Sequence, residues 1–257
     1  METPLDVASR NLLPIKVLFA PARATSFFWD VSMLEATVKK ILQARVYEAA
    51  CETPISPAPF LSRRFNNQIL IKREDLQPVF SFKIRGAYNK MAQLTDEQKA
   101  KGVIAASAGN HAQGLAMAAK LMGVKAVIVM PRITPDIKVQ AVRARGAKVV
   151  LKGDAFAAAA EHAQELINEH GYTYIPPFDD IDVVAGQGTI GVEILRQHGG
   201  RLDAIFIPVG GGGLIAGVAA YVKYLRPDIK IIGVEAEDSA CLKAGMEAGE
   251  RVGLDQV

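Results

Sequence analysis

From position 69 onward the chain alternates short apolar runs with amphipathic stretches. Runs at 69–72, 103–106, 126–130, 148–151, 172–175, 204–209 and 230–234 read as strands. The β-branched run 126–130, ended by Pro131, is apolar at every position, as in a strand covered on both faces. Between these runs the spacing predicts helices from about Lys83 and over 111–121, 136–145, 156–169, 181–197 and 214–225. One more is predicted over 34–44. Asp154 is expected to cap the helix at 156–169, and Gly146 and Gly171 to end the helices before them. Strand and helix in repeated alternation, with short connections, imply right-handed βαβ units. The fold class expected is α/β with parallel sheets. No internal repeat or low-complexity tract interrupts the pattern.

The first 32 residues stand apart. They show neither helical nor strand periodicity and contain three prolines; the apolar stretch 12–20 is broken by Pro14 and Lys16. Glu2, Asp6 and Asp30 against Arg10, Lys16 and Arg23 argue against a secretory or transit peptide. A second methionine, Met33, directly precedes the first helical pattern, so a disordered arm or an over-extended start of translation is expected over 1–32.

Composition narrows the function classes. The 257 residues are 50% hydrophobic and 22% charged with a net charge of +3, which excludes a disordered chain. No apolar run approaches the roughly 20 residues needed to cross a bilayer. No basic stripe interleaves with aromatics, so nucleic acid is not expected as a partner, nor is a membrane. The two cysteines, Cys51 and Cys241, lack metal-site spacing and read as reduced thiols of a cytoplasmic protein.

Two glycine turns between strand and helix carry the chemistry. Gly210, Gly211, Gly212 and Gly213 follow one apolar run and open the helix near Leu214. Such a turn lets successive N–H groups converge on an anion at the positive end of a helix dipole. A tight turn alone needs one or two glycines, and four cost extra conformational entropy, which favours a phosphate as guest. GxGxxG occurs once, from Gly186 to Gly191, but inside a predicted helix rather than after a strand. It reads as close helix packing, not a dinucleotide site. The second turn is Ser107-Ala108-Gly109-Asn110-His111. Its donors could receive a carboxylate; equally, Asn110 could be a simple N-cap. His111 is either an acid–base group or a structural histidine. Lys83, after Phe82 and in the first turn of its helix, sits where partial burial and the helix N-terminus both oppose the ammonium form. A neutral amine is what Schiff-base chemistry requires, although a lysine beside apolar residues can also snorkel to water.

Taken together, these motifs resemble the fold type II pyridoxal-phosphate enzymes, and among them the threonine dehydratase (threonine deaminase) family. The resemblance rests on SFKIRGAYNKM (81–91), ASAGNHAQG (106–114), PPFDD (176–180), AGQGT (185–189), PVGGGGLIAG (208–217) and VEAEDSACL (234–242), and runs from about Leu34 to the last residue. It implies two doubly wound parallel-sheet subdomains: a small one at 97–176, inserted into a larger cofactor-binding one made of 33–96 and 177–257. It implies that Lys83, beside Phe82, carries pyridoxal 5'-phosphate and moves the substrate's α-proton. Asn110 would bond the cofactor ring oxygen, and Gly210, Gly211, Gly212, Gly213 and Leu214 would bind the phosphate. Ser107, Ala108, Gly109 and His111 would lie against the substrate carboxylate. The implied reaction converts threonine to 2-oxobutanoate and ammonia, or serine to pyruvate, as the first step of isoleucine biosynthesis. Serine racemisation or β-replacement is the alternative on the same chemistry, and a non-catalytic remnant is another.

The chain departs from that family at its end. The resemblance implies a catalytic domain that continues beyond position 257 and, in biosynthetic members, a further regulatory domain; the chain is expected to lack both. A truncated product, half of a split gene or a fragment of a longer sequence is therefore expected. It would act as a homo-oligomer or pair with a complementary C-terminal fragment, and the strand at 230–234 would lack later partners. Some relatives bind a divalent cation where Glu235 stands, but Cys241 replaces a further oxygen ligand, so no metal is expected.

Overall fold

The computed structural model describes residues 15–18, 31–250 and 252–253. In chain order the elements are β1 (Ile15–Leu18), α1 (Val31–Leu42), β2 (Ile55–Pro57), α2 (Pro59–Arg64), β3 (Leu70–Lys72), α3 (Lys83–Ala92), α4 (Asp96–Lys101), β4 (Val103–Ala106) and α5 (Asn110–Met122). There follow β5 (Ala126–Met130), α6 (Asp136–Arg143), β6 (Lys148–Leu151), α7 (Phe156–His170), β7 (Thr173–Tyr174), α8 (Ile181–Gln197), β8 (Ala204–Pro208), α9 (Gly213–Leu225), β9 (Lys230–Ala236) and α10 (Cys241–Ala248).

Strands β4 to β7 form a parallel sheet in the order β6-β5-β4-β7. Successive side chains of a strand face opposite ways, and both faces here are apolar. Val103, Ala105, Ile128 and Met130 pack with Leu115 of α5 and Val139 of α6, whereas Ile104, Ala106, Val127 and Val129 pack with Ala159 and Ala163 of α7. This is the doubly wound arrangement the continuous apolar runs predict. A second sheet, β1-β9-β8, is parallel only between β8 and β9; β1 runs antiparallel to β9, as β2 does to β3.

Three expectations are corrected. Ile15–Leu18, within the segment expected to lack regular structure, is a strand paired with β9 from Ile15↔Ala236 to Leu18↔Gly233; the other residues of 1–30 lie outside the described ones. Consequently β9 has neighbours on both sides, and the sheet's edge strands among the described residues are β1 and β8. Beside β8 lies a groove of about 400 Å3 lined by Ile55, Ile69, Leu70, Ile194 and Phe206. Asp154 does not cap α7, whose N-cap is Ala155 with no side-chain hydrogen bond. Four short elements, β2, α2, α4 and α10, carry no periodic signal, although Thr95 and Gln98 form a capping box at α4 that the sequence spells out.

The GxGxxG segment is a helix-packing surface, as its position inside a helical pattern suggests. A Cβ at Gly186 would stand 2.7 Å from both the Arg85 carbonyl oxygen and Gly86 Cα, so α8 meets α3 backbone to backbone. A Cβ at Gly217 would stand 2.4 Å from the Val184 carbonyl oxygen, closing α9 on α8. Alanine is better than glycine inside an isolated helix by about 1 kcal/mol. Overpacking against an immovable backbone costs about 1–3 kcal/mol and should win here. Gly217→Ala is thus expected to lower the denaturation midpoint, while Gly199→Ala, where a Cβ meets nothing within 4 Å, should leave it unchanged.

Candidate active site

Lys83 is the first residue of α3. Chain entry into that helix is fixed three ways. Phe80 takes a left-handed φ of 56°, unusual for a bulky side chain, in a turn closed by its N–H to the Gln77 carbonyl (2.7 Å). Ser81 Oγ accepts the Lys83 N–H at 3.3 Å. Gly114 of α5 packs against the Lys83 carbonyl, where a Cβ would come within 3.2 Å of its oxygen.

The Lys83 amine is partly buried, lies 5.4 Å from the centre of the Phe82 ring, and donates to the Pro177 carbonyl at 2.7 Å. No acid forms a salt bridge with it among the described residues, and burial pushes its pKa down. The sequence expectation of an amine biased toward its neutral form is thus met by burial.

Two residues on, the electrostatics reverse. Arg85 is fully buried, yet its guanidinium donates to Glu74 Oε1 and Oε2 (both 2.8 Å), Glu193 Oε1 (2.6 Å), Thr189 Oγ1 (3.1 Å) and the Cys51 carbonyl (3.2 Å). Glu193, also fully buried in side chain, further accepts from Lys72 Nζ (2.5 Å) and Tyr47 Oη (2.9 Å). Burial opposes the charge on both. For Arg85 the carboxylates of Glu74 and Glu193 outweigh it and raise the pKa; for Glu193, Arg85 and then Lys72 outweigh it and hold the carboxyl below the usual range. Burial, then Glu193, pushes Tyr47 up to about 12. Sequence reading missed this cluster. The signal available was Glu193 between Ile190 and Ile194, the one charged residue among the otherwise uncharged core-facing positions of that helix.

The second glycine turn leads from the C-terminal end of β4 into α5. Gly109 is the N-cap and Asn110 the first helical residue, so Asn110 is not the N-cap; its side chain is exposed. Ser107 Oγ accepts the Gly109 N–H (3.3 Å), and Ala108 and Gly109 are partly exposed. His111 is buried; its Nε2–H donates to the Ile175 carbonyl (2.8 Å), and Nδ1 has no partner among the described residues. Burial lowers its pKa to about 4, the Ile175 carbonyl partly opposing and Lys83 adding to the effect, so it stays neutral at pH 7.

The four-glycine turn leads from β8 into α9. Gly212, at φ 86°, is the N-cap in a left-handed conformation that suits glycine, and Gly213 opens the helix ahead of Leu214. Phe178 lies against this turn: a Cβ on Gly211 would meet its ring at 2.1 Å, and one on Gly213 its carbonyl oxygen at 2.9 Å. Residues 175–178 therefore touch His111, Lys83 and the glycine turn in succession, drawing together three motifs that are far apart in sequence. Glu235 is occupied otherwise: its two oxygens accept the N–H groups of Leu242 and Lys243 (3.0 Å each) at the start of α10. No cluster of metal-ligating side chains occurs among the described residues.

Two helix N-termini thus stand at the C-terminal ends of parallel strands, joined through residues 175–178 to a partly buried amine, and such strand ends are where α/β sheets bind ligands. Residues 46–257 match the model of the pyridoxal-phosphate dependent enzyme family, and the chain belongs to that family. Over 223 residues it is 58% identical to a biosynthetic L-threonine dehydratase of Burkholderia multivorans, covering 86% of this chain and 44% of that protein. Its fold matches the processed form of threonine deaminase isoform 2 from Solanum lycopersicum (TM-score 0.86, 52% identity, 89% of this chain and 62% of that one). It also matches maize serine racemase (TM-score 0.80, 32% identity, 86% and 66%). The chain thus spans less than half the length of that bacterial relative. The residues present fit the family's cofactor: a partly buried amine with no acid in salt-bridge range among the described residues suits its aldehyde, and a helix-opening glycine turn suits its phosphate.

Two outcomes are expected. Glu193→Gln should cost about 3 kcal/mol in urea unfolding by leaving Arg85 and Lys72 undercompensated, whereas Glu48→Gln, which breaks an exposed pair with Arg45, should leave the urea midpoint essentially unchanged. For His111 the native pKa is the lower one, so the unfolded chain binds more protons between pH 6.5 and about 4, and stability falls as pH falls through that window. Wild type should therefore lose about 3 kcal/mol more than His111→Asn between pH 7 and pH 4.

Proposed function

We propose that the chain carries the cofactor-binding and proton-transfer machinery of a threonine dehydratase. It would convert L-threonine to 2-oxobutanoate and ammonia, and L-serine to pyruvate, as the first step of isoleucine biosynthesis. The observation that carries this reading is the Lys83 amine, biased toward neutrality by burial and held by Pro177 one residue before Phe178 meets the glycine turn. Family membership and the named relatives support the substrate.

Pyridoxal phosphate, when bound, supplies an electron sink that weakens the bonds at the substrate's Cα. Lys83 Nζ would hold the cofactor at its aldehyde carbon and would move the proton at the substrate's Cα. Gly210, Gly211, Gly212, Gly213 and Leu214 hold the phosphate with N–H groups at the N-terminus of α9. Asn110, exposed at the head of α5, bonds the ring oxygen; Ser107, Ala108, Gly109 and His111 present the turn that receives the substrate carboxylate. His111 contributes no positive charge there, because burial keeps its ring neutral. Loss of the β-hydroxyl as water and hydrolysis of the released enamine complete the conversion. A complementary segment, supplied on the same or another polypeptide, would pair along the open edge of β8.

A second reading, serine racemisation, draws on the match to maize serine racemase and uses the same amine. With added pyridoxal phosphate, the wild-type chain is expected to show a visible absorbance band that Lys83→Ala lacks. Borohydride reduction followed by peptide mapping should place the label on Lys83; a label elsewhere, or none, overturns the proposal. Production of 2-oxo acid from threonine and serine, against D-serine from L-serine, separates the two reactions.

A further inference from the structure

The segment Ile175-Pro176-Pro177-Phe178 enters the reading above only through the carbonyl that holds Lys83, yet within four residues it touches His111, Lys83 and the glycine turn. The Ile175 carbonyl accepts from His111 Nε2 at 2.8 Å and the Pro177 carbonyl from Lys83 Nζ at 2.7 Å. Two consecutive prolines fix φ and bring no N–H of their own, which stiffens the backbone between these carbonyls. Beyond Phe178, Asp180 caps α8 by accepting the N–H groups of Asp182 (2.9 Å) and Val183 (3.1 Å) and pairs with Lys90 (2.7 Å), so both ends are anchored. The Phe178 ring is pressed against Gly211 so closely that a Cβ there would stand 2.1, 2.2 and 2.4 Å from three ring atoms. The nearest of them include Cγ, which stays in place when the ring turns about its own axis, so a ring flip does not relieve the clash and the whole side chain must swing away from the turn. Neighbouring Gly210 and Gly212 have nothing within 4 Å of a Cβ. The absence of a side chain at 211 is thus matched to this ring.

We propose that Phe178 is a positioning residue: its ring, seated on Gly211, sets the distance between the glycine turn and the Lys83 amine held by the preceding carbonyl. The proposal rests on the reading that this turn binds the cofactor's phosphate. A ring displaced by a methyl at 211 would move the turn away from the amine, so that one molecule could no longer reach both. Only a ligand carrying aldehyde and phosphate together would register the change.

The test measures the affinity of the full chain for pyridoxal phosphate and for pyridoxal, by the visible band, in wild type, Gly211→Ala, Phe178→Ala and the double variant. Gly211→Ala should weaken pyridoxal phosphate about tenfold or more while leaving pyridoxal within about twofold. The double variant should recover most of that loss relative to Phe178→Ala, because removing the ring removes the clash. Merely structural damage would lower both ligands together and the thermal midpoint with them, and that result overturns the proposal. So does an equal loss from Gly211→Ala with and without the ring. Wild-type chain that binds the two ligands equally would instead sink the phosphate reading itself, which keeps the two failures apart.

Discussion

Everything at the site depends on a guanidinium that never meets water. Arg85 is shared between Glu74 and Glu193, with Lys72 supplying a second cation, so two positive and two negative side chains form a closed group. Ions are costly to bury, and that cost is offset only when nearly every donor and acceptor finds a partner in good geometry. The cluster meets that condition, and in doing so it ties the first turn of α3 to α8, β3 and the chain around Cys51. Lys83 is two residues from the Arg85 Cα and inherits that fixed position.

The contrast between these neighbouring cations is the electrostatic design of the site. Arg85 keeps its charge because carboxylates surround it. Lys83, on the same helical turn, has one neutral carbonyl and an aromatic ring for company, so burial works against its ammonium form unopposed. Swapping the partners of the two residues would leave a permanently charged amine and an unpaired buried guanidinium. Neither arrangement would serve covalent chemistry at nitrogen.

Glycine serves two unrelated purposes here. At Gly86, Gly186 and Gly217 it lets helices approach backbone to backbone, which places α3 against α8 and α8 against α9. At Gly212 it allows a left-handed residue to open α9. The same letters in sequence therefore stand for packing in one place and for a left-handed strand-to-helix turn in another. Their position relative to strand and helix signals is what separates the two uses.

The sequence by itself determined the alternation of strand and helix, the bounds of β4, β5, β6 and α8 to the residue, and the two strand-to-helix turns with Lys83 ahead of them. Those features are local: apolar run length, helical spacing and glycine placement report on the residues beside them. Tertiary structure decided what local pattern does not encode. The pairing of Ile15–Leu18 with β9 depends on an edge contributed more than two hundred residues away, so an isolated four-residue run broken by a lysine gave no periodic signal. The Arg85–Glu193 pair joins residues 108 apart. Phe178 acquires meaning only through Gly211, whose missing side chain it covers. Contacts of that kind depend on how elements pack, and packing is a property of the folded whole.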